Sequence, residues 1–561
     1  MKTNADTLII SDSKVVIDIP KIVNSHINHS IVDNAKTDEI YKALRLMLNG
    51  HYEKYVFNEE TFDKMIDKTL TEIEFQKVLS GLNEKQSIRK TNGVYYTPTD
   101  VVSFIISNCF NKVANIGDES IISNSKSEFD ANFAKKLACD KNVLDPTCGA
   151  GEFLITALQE KIKIFEKFET LTDDITIKIL ETIHGNDINI ESVEITKIRL
   201  FFETIKHITY IDRYMELARI INSNMHVCDF VDIELGIFEK YDIIVGNPPY
   251  VEDSKSISKP KTQYGNIYAN VLQNSIDLLS DDGIMGFIIP ISYVSTPRMR
   301  KIRNYIENNT SKQFVLNYAD RPDCLFASVH QKLSILIATK GDEKHKLFSS
   351  SYKYWYKNER ETLFSNAEII ENPYQNELFY PKAGNKIELS IFKKVFTEDS
   401  NNIIDTVKED AINNVYLNMR ACFWIKAFSF NPGSKEYKGF SYDESKKDFM
   451  LCLLNSSLFF LFWILTSDCW HITAKELKYF KVPDNANLNN FNELSVELEK
   501  KLEETKKYIG SKQTDYEYKH KLCKQVIDKI DDNLAVLYKL NEKEVSYVKS
   551  FATKYRESLG G

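Results

Sequence analysis

Between Gly93 and about Lys340, short apolar runs alternate with longer stretches whose apolar residues recur at helical spacing. The runs Asn142-Val143-Leu144-Asp145, Ile183-His184-Gly185-Asn186-Asp187, Tyr241 to Gly246 and Gly286-Phe287-Ile288-Ile289-Pro290 are predicted strands, and Phe153 to Phe168 is a predicted helix. Strands separated by helical segments form βαβ units, which build a parallel sheet with ligands at the carboxyl ends of its strands. Upstream, Ile40, Leu44, Leu46 and Met47 fall at roughly helical spacing, and the charge-rich stretch Phe57 to Leu82 is also predicted helical. Beyond about Gly341 the alternation weakens and aromatics become dense (Tyr352, Tyr354, Trp355, Tyr356, Phe423, Trp424, Phe428, Phe430). After Pro483 the chain turns Lys/Glu-rich and reads as helix to its end, with Leu494, Leu498 and Leu502 on one stripe. The expected organisation is an N-terminal helical region (1–90), an α/β domain (91–340), a mixed domain (341–484) and a helical tail (485–561).

One segment, Met450 to Leu465, raises the question of a membrane span. Asn455-Ser456-Ser457 interrupts it, and it falls short of the roughly 18–20 apolar residues a span needs, so a buried helix is expected. The nine cysteines are an odd number without a Cys-x-x-Cys pair, which points to a reducing compartment, no disulfide framework and no zinc site. Met1-Lys2-Thr3-Asn4-Ala5-Asp6 lacks the apolar stretch of a signal peptide, so a cytoplasmic chain is expected. The formal net charge of −8 means that any grip on phosphates must come from local patches.

The richest chemistry lies in Ile243-Ile244-Val245-Gly246-Asn247-Pro248-Pro249-Tyr250, an Asn-Pro-Pro-Tyr box closing an apolar strand. Each proline fixes its own φ and biases the residue before it to an extended conformation, so Asn247 and Pro248 are stiffened where the strand ends. The Asn247 side-chain oxygen and the Pro248 carbonyl can then both point into the cleft as acceptors. An aniline-like amine is a poor nucleophile because its lone pair is delocalised into the ring. Two acceptors on its two N–H groups favour a tetrahedral nitrogen and free that lone pair for in-line attack. Tyr250 offers a flat ring for a base, a contact worth about 1–3 kcal/mol in nucleic-acid binders. Alone, the box reads equally well as a proline-rich strand terminator.

Val143-Leu144-Asp145-Pro146-Thr147-Cys148-Gly149-Ala150-Gly151-Glu152-Phe153 reads as strand, tight glycine turn and helix, and such a turn lets the backbone approach a ligand closely. The spacing lacks a third glycine and no Gly-Lys-Ser/Thr follows, which excludes a P-loop and disfavours a dinucleotide fingerprint. Asp187, at a second strand's end, suits a ribose diol. In Met225-His226-Val227-Cys228-Asp229-Phe230, the acid can accept from an adenine amine while the ring stacks on the purine. Taken singly, Asp187 and Asp229 read better as cap or turn residues. In Gly93-Val94-Tyr95-Tyr96-Thr97-Pro98, Thr97 is the expected N-cap of a helix with Pro98 at its first position. Such a helix start attracts a carboxylate, or is simply a capped helix.

In this order the boxes resemble the amino-type DNA methyltransferases of the gamma arrangement, the TaqI-like adenine-N6 family. There a Tyr-Thr-Pro-type box precedes the glycine loop and the Asn-Pro-Pro-Tyr box, with target recognition C-terminal. The resemblance covers roughly Gly93 to Lys340, including Asn266-Ile267-Tyr268-Ala269-Asn270 ahead of a helix and Asp282-Gly283-Ile284-Met285-Gly286-Phe287-Ile288-Ile289-Pro290. It implies a Rossmann-like S-adenosylmethionine-dependent methyltransferase domain, then a C-terminal mixed target-recognition domain and a helical tail. It further implies that Tyr96, Thr97, Asp145, Pro146, Cys148, Gly149, Asp187, Ile188, Asp229 and Phe230 bind S-adenosylmethionine. Asn247, Pro248 and Tyr250 become the catalytic set, with no metal, and Cys148 a small turn residue rather than a nucleophile. The family's second base-stacking aromatic precedes a strand. Leu325-Phe326-Ala327-Ser328-Val329-His330 precedes the predicted strand Leu333 to Ala338, so Phe326 is the candidate, with a core position as its alternative and His330 as its rival.

The implied partner is double-stranded DNA with its target base flipped out, because an amine inside a stacked duplex cannot reach a methyl group. Lys255, Lys259 and Lys261, with Arg298 and Arg300 in the stretch Pro297 to Arg303, are candidate phosphate contacts, although solvated surface is the commoner explanation. Leu453-Leu454-Asn455-Ser456-Ser457, Cys469-Trp470-His471-Ile472-Thr473 and Leu540 to Val545 resemble the family's less regular C-terminal boxes. No nuclease carboxylate cluster ending in Glu-x-Lys stands out in the N-terminal region, so any restriction endonuclease is expected to be a separate protein or absent. The alternatives are ribosomal RNA or a protein glutamine as substrate, N4-cytosine methylation, and a non-catalytic DNA-specificity subunit. The long aromatic-rich C-terminal region and the Tyr-Thr-Pro box favour DNA. Asn247 favours adenine over cytosine, for which Ser-Pro-Pro-Tyr is more usual. The intact Asn247, Pro248, Tyr250 and Asp229 argue against a dead fold.

Overall fold

Nine strands build one sheet. They are β1 (Val143–Asp145), β2 (Ile183–Asp187), β3 (Met225–Val227), β4 (Tyr241–Gly246), β5 (Leu279–Pro290), β6 (Lys312–Tyr318), β7 (Leu333–Thr339), β8 (Lys346–Lys353) and β9 (Ile370–Glu371), in the order β3-β2-β1-β4-β5-β7-β6-β8-β9. The computed structural model describes residues 34–48, 97–113, 130–232, 238–326, 330–365, 367–375, 377–399, 401–409, 411–483, 488–510 and 515–557. The expected helix Phe57 to Leu82 and the position of Tyr96 lie outside them.

The five strands β3-β2-β1-β4-β5 are mutually parallel, as the βαβ pattern predicts, and β7 runs antiparallel between β5 and β6. That antiparallel insertion departs from the all-parallel order of doubly wound dinucleotide folds. The central strands are apolar without alternation because helices cover both faces: Ile284 to Pro290 of β5 and Leu333 to Ala338 of β7 are all buried. The helix Thr99–Val113 lies so close on β5 that a Cβ at Gly286 would come within 2.6 Å of Cys109 Sγ and 2.7 Å of Ile105 Cγ2. The helix Asn34–Met47 buries Ile40, Ala43, Leu44 and Met47 and packs on the helix Tyr214–Asn224.

The sheet continues beyond residue 340, where the hydrophobic pattern fades. β8 pairs in parallel with β6 although its sequence, Lys-Leu-Phe-Ser-Ser-Ser-Tyr-Lys, is largely polar. Its inward serines are satisfied locally: Ser349 donates to the Ala383 carbonyl, and Ser350 Oγ accepts from the Asn317 N–H at 2.9 Å. Beyond it lies a small antiparallel sheet of Val415–Asn418, Ala427–Phe428 and Tyr437–Phe440.

Two expectations need correction. Met450 to Leu465 is buried but is not one helix: Glu444–Asn455 and Ser457–Thr466 meet at 62°, and no single described helix is long and apolar enough to cross a membrane. Ser456 is extended at the break, and its hydroxyl accepts from the Phe459 N–H at 3.0 Å, capping the second helix. The Asp531 carboxylate accepts from the Ser457 and Leu458 N–H groups at 3.0 and 3.2 Å. Nor is the chain after Pro483 continuously helical. Helices Asn490–Thr505, Lys524–Leu537 and Glu542–Ser550 are interrupted by a hairpin pairing Lys507–Tyr508 with Tyr516–Glu517, where the two tyrosine rings meet edge to face at 5.5 Å. Leu494, Leu498 and Leu502 are buried on one stripe as expected. Near the end, the Arg556 guanidinium sits 4.0 Å from the Trp424 ring and 4.1 Å from the Phe460 ring, pinning the last turn to the preceding module.

Candidate active site

The carboxyl ends of β1, β2 and β4 converge on the glycine turn that follows β1. Gly149 and Gly151 take φ of +52° and +85°, which side-chain-bearing residues rarely adopt, so the turn needs glycine at both places. The turn is lashed to the end of β2: the Gly149 N–H donates to Asp187 Oδ2 at 2.9 Å and the Cys148 N–H to the Asn186 carbonyl at 2.8 Å. Asn186 Nδ2 returns a bond to the Pro146 carbonyl at 3.0 Å, and Thr196 Oγ1 donates to the Gly149 carbonyl at 2.9 Å. Beneath the following helix, Arg199 and Glu152 form a buried ion pair at 2.8 Å.

Burial raises the Asp145 carboxyl well above the usual carboxylate range, although it accepts from the Thr147 N–H at 3.0 Å. Burial also raises Asp187, against N–H bonds from Asn189 and Gly149. The Cys148 thiol is pushed well up by burial and then by the two aspartates, the opposite of what a thiolate nucleophile requires.

Several features suit a nucleotide-type ligand. No atom lies within 4 Å of where a Gly149 Cβ would point, and Thr147 Oγ1 is buried with no hydrogen-bond partner among the described residues. Asp187 and Val227 are paired across β2 and β3, and beside them Ile188 and Val227 are 57 % and 46 % exposed, an apolar face at adjacent strand ends. Asp229 is half-buried and accepts from the Val231 N–H at 3.0 Å. Phe230 differs from its expected role. It is 2 % exposed and packs edge to face on Phe238 at 5.7 Å, which leaves no open ring face for a purine. Val227 was not among the sequence candidates, because its neighbourhood with Ile188 depends on strand register.

Gly246 ends β4 so close to β1 that a Cβ there would lie 2.7 Å from Asp145 Oδ1. The box then follows from Asn247 to Tyr250, outside any helix or strand. Asn247 Nδ2 donates to Thr97 Oγ1 at 2.9 Å, joining residues 150 positions apart. Thr97 is therefore not the helix cap. Helix Thr99–Val113 starts one position later than expected, with the Pro98 carbonyl accepting from the Val102 N–H at 3.1 Å, and the Thr97 hydroxyl is turned to Asn247 instead. Pro248 is buried. Tyr250 is half-buried, donates its hydroxyl to the Ile288 carbonyl at 2.8 Å and meets Tyr268 edge to face at 6.5 Å.

Phe326 is 1 % exposed and belongs to the core in this conformation, whereas His330 is exposed, its Nδ1 3.0 Å from the Asp320 carbonyl oxygen. The Phe326 loop is fastened by Arg360, which donates to the Cys324 and Leu325 carbonyls and, at 2.8 and 3.1 Å, to both oxygens of Asp100 on helix Thr99–Val113.

The phosphate candidates divide by their acidic neighbours. Lys255 pairs with Glu252 at 2.6 Å, Arg298 reaches the same carboxylate at 3.9 Å, and Arg300 pairs with Glu377. Lys259 and Lys261 are exposed and have no ion pair among the described residues. Arg303, in the same basic stretch as Arg298, is buried and donates to the Tyr293, Thr296 and Glu377 carbonyls, a structural role.

A sheet of this order, with a glycine turn after β1, acids at the ends of β2 and β3 and an Asn-Pro-Pro-Tyr box after β4, has the Rossmann-like fold of methyltransferases. More particularly, residues 181–323 match the Eco57I restriction-modification methylase family. The type II methyltransferase M.BstVI of Geobacillus stearothermophilus is 25 % identical over 32 % of this chain and 34 % of its own length. The type II methyltransferase M.VspI of a Vibrio species is 24 % identical over 39 % of this chain and 42 % of its own. Across the curated relatives the matched segments span 18 to 42 % of the relative's length. The solved structure of the type IIL restriction-modification enzyme MmeI in complex with DNA aligns with 99 % of this chain and 94 % of that one, with a TM-score of 0.52 and 11 % identity, a likeness of fold.

Proposed function

We propose that this chain transfers a methyl group from S-adenosylmethionine to the N6 amine of an adenine flipped out of double-stranded DNA. The observation that carries the reading is Asn247: its amide stands at the end of β4, with its donor end held by Thr97 and followed directly by Pro248 and Tyr250. The Asn247 oxygen and the Pro248 carbonyl accept the two N–H groups of the target amine, localise its lone pair and carry the positive charge that develops on nitrogen. Preorganised acceptors of this kind act where charge appears and need no reorganisation at the moment of reaction. Tyr250, braced through its hydroxyl on β5, takes the face of the base.

S-adenosylmethionine supplies an electrophilic methyl on a sulfonium that is already a good leaving group. Asp187 and the turn at Gly149 would hold it, with Thr147 offering a hydroxyl, Asp229 a carboxylate and Ile188 and Val227 an apolar face. DNA as substrate is supported by the MmeI complex, whose fold this chain shares. Among the curated relatives, RM.Eco57I of Escherichia coli is named as both restriction enzyme and methyltransferase. Here we propose that any endonuclease partner is a separate protein and that the setting is the cytoplasm.

The test is long-read modification calling on genomic DNA from a host expressing the chain, beside an Asn247→Ala control. The expected result is N6-methyladenine in one sequence context that disappears in the control, with transfer by the purified variant at least about 100-fold slower and cofactor binding near normal. Cofactor binding without a mark on DNA would redirect the reading to RNA, to a protein glutamine or to a non-catalytic subunit. In a separate titration, Asp187→Ala is expected to raise the S-adenosylmethionine dissociation constant about tenfold or more, the loss of one charged hydrogen bond. An unchanged constant would remove Asp187 from the site.

A further inference from the structure

A primary amide is nearly symmetric in shape and antisymmetric in chemistry, since one end accepts hydrogen bonds and the other donates two. Only the oxygen end of Asn247 can accept a hydrogen bond from an amine N–H. Turned over, the same side chain would set its own N–H groups against those of the substrate, donor against donor. Neither Pro248 nor the strand decides between these rotamers, because both act on the backbone. A hydroxyl can accept from the amide nitrogen or donate to the amide oxygen; here the one beside Asn247 accepts from Nδ2, which favours the rotamer that leaves the oxygen on the other side of the amide.

Thr97 is that hydroxyl. It is 5 % exposed, and its Oγ1 lies 2.9 Å from Asn247 Nδ2. Its own placement is firm: Pro98 follows directly, the Pro98 carbonyl begins helix Thr99–Val113, and that helix is seated on β5 at the gap left by Gly286. We infer that Thr97 is a positioning residue for methyl transfer, which holds the Asn247 amide so that its oxygen faces the target amine. The inference rests on the reading of Asn247 given above. It also replaces the role implied by resemblance, in which Thr97 binds the cofactor.

The two roles separate cleanly in kinetics. Thr97→Val keeps the shape and removes the acceptor, while Thr97→Ser keeps the acceptor. Single-turnover transfer to DNA at saturating S-adenosylmethionine is to be measured beside the cofactor dissociation constant for each variant. The valine variant is expected to slow transfer about 10- to 100-fold with the dissociation constant within about threefold of wild type, and serine to restore the rate to within about threefold. Thr97→Ala gives the same comparison if valine impairs folding. A valine variant that transfers at the wild-type rate overturns the inference. So does one whose whole defect is weaker cofactor binding, which would make Thr97 a cofactor ligand, and so does a serine variant as slow as valine. A wild-type chain that binds S-adenosylmethionine yet methylates no DNA defeats the functional reading itself, a result distinct from any of these.

Discussion

Single atoms decide much of the site. At Gly246 an added methyl would stand 2.7 Å from Asp145 Oδ1, and that carboxyl is buried beneath the glycine turn. Gly246→Ala is therefore expected to displace either the turn or the catalytic box and to weaken cofactor binding about tenfold, as equilibrium titration would show; an unchanged constant would mean that β1 and β4 can part at no cost. The Asn-Pro-Pro-Tyr box at a strand end and the glycine turn were legible in the sequence because each is a run of consecutive residues whose backbone preferences are local. What escaped was side-chain fate. Phe230 and Phe326 occupy the expected places along the chain, but their rings are buried, and ring burial depends on packing partners that no local pattern specifies. The bond between Thr97 and Asn247 was not legible either, since it spans 150 residues.

At the scale of elements, the start of helix Ser457–Thr466 is capped by a carboxyl from a distant helix. Burial pushes Asp531 up to about 6, against opposing bonds from Ser457 and Leu458. Because the folded value exceeds the unfolded one of about 3.9, the folded state binds the proton more tightly. The stabilisation this group provides is thus complete below about pH 4 and is lost as pH rises through about 6. Asp531→Asn keeps an acceptor without the charge. It is expected to raise the thermal midpoint at pH 7.5, by the equivalent of about 1–3 kcal/mol, with the advantage shrinking towards pH 4. An advantage independent of pH would exclude titration of Asp531 as its source. Arg360 ties the Phe326 loop to helix Thr99–Val113, so Arg360→Ala should speed amide exchange at Leu325 and Phe326 by about tenfold or more, as mass-resolved hydrogen exchange would detect. The parallel core was legible because strands buried on both faces are written in unbroken apolar runs. β8 was not, because its buried positions are serines, and the break at Ser456 was visible as an interruption but not as a 62° turn.

For the whole molecule, an acidic chain can hold DNA only through chosen cations. Each phosphate contact adds about 0.9 to the slope of log affinity against log salt. Lys259→Ala and Lys261→Ala should each lower that slope by about one, whereas Lys255→Ala and Arg298→Ala should change it less, because DNA must first displace their bonds to Glu252. Equal effects at all four positions, measured by fluorescence anisotropy across a salt series, would show that those ion pairs do not compete.

The sheet itself bears on how such chains can be recombined. β8 and β9 complete the catalytic sheet but are drawn from chain already on its way to the C-terminal module, and the Asn372 N–H still bonds to the Leu347 carbonyl of β8. A graft joined at residue 340 would strip β6 of its neighbour and leave a raw strand edge open to aggregation. A splice placed beyond Asn372 would carry the sheet across intact, so that foreign C-terminal segments are exchanged as cargo on an unbroken chassis.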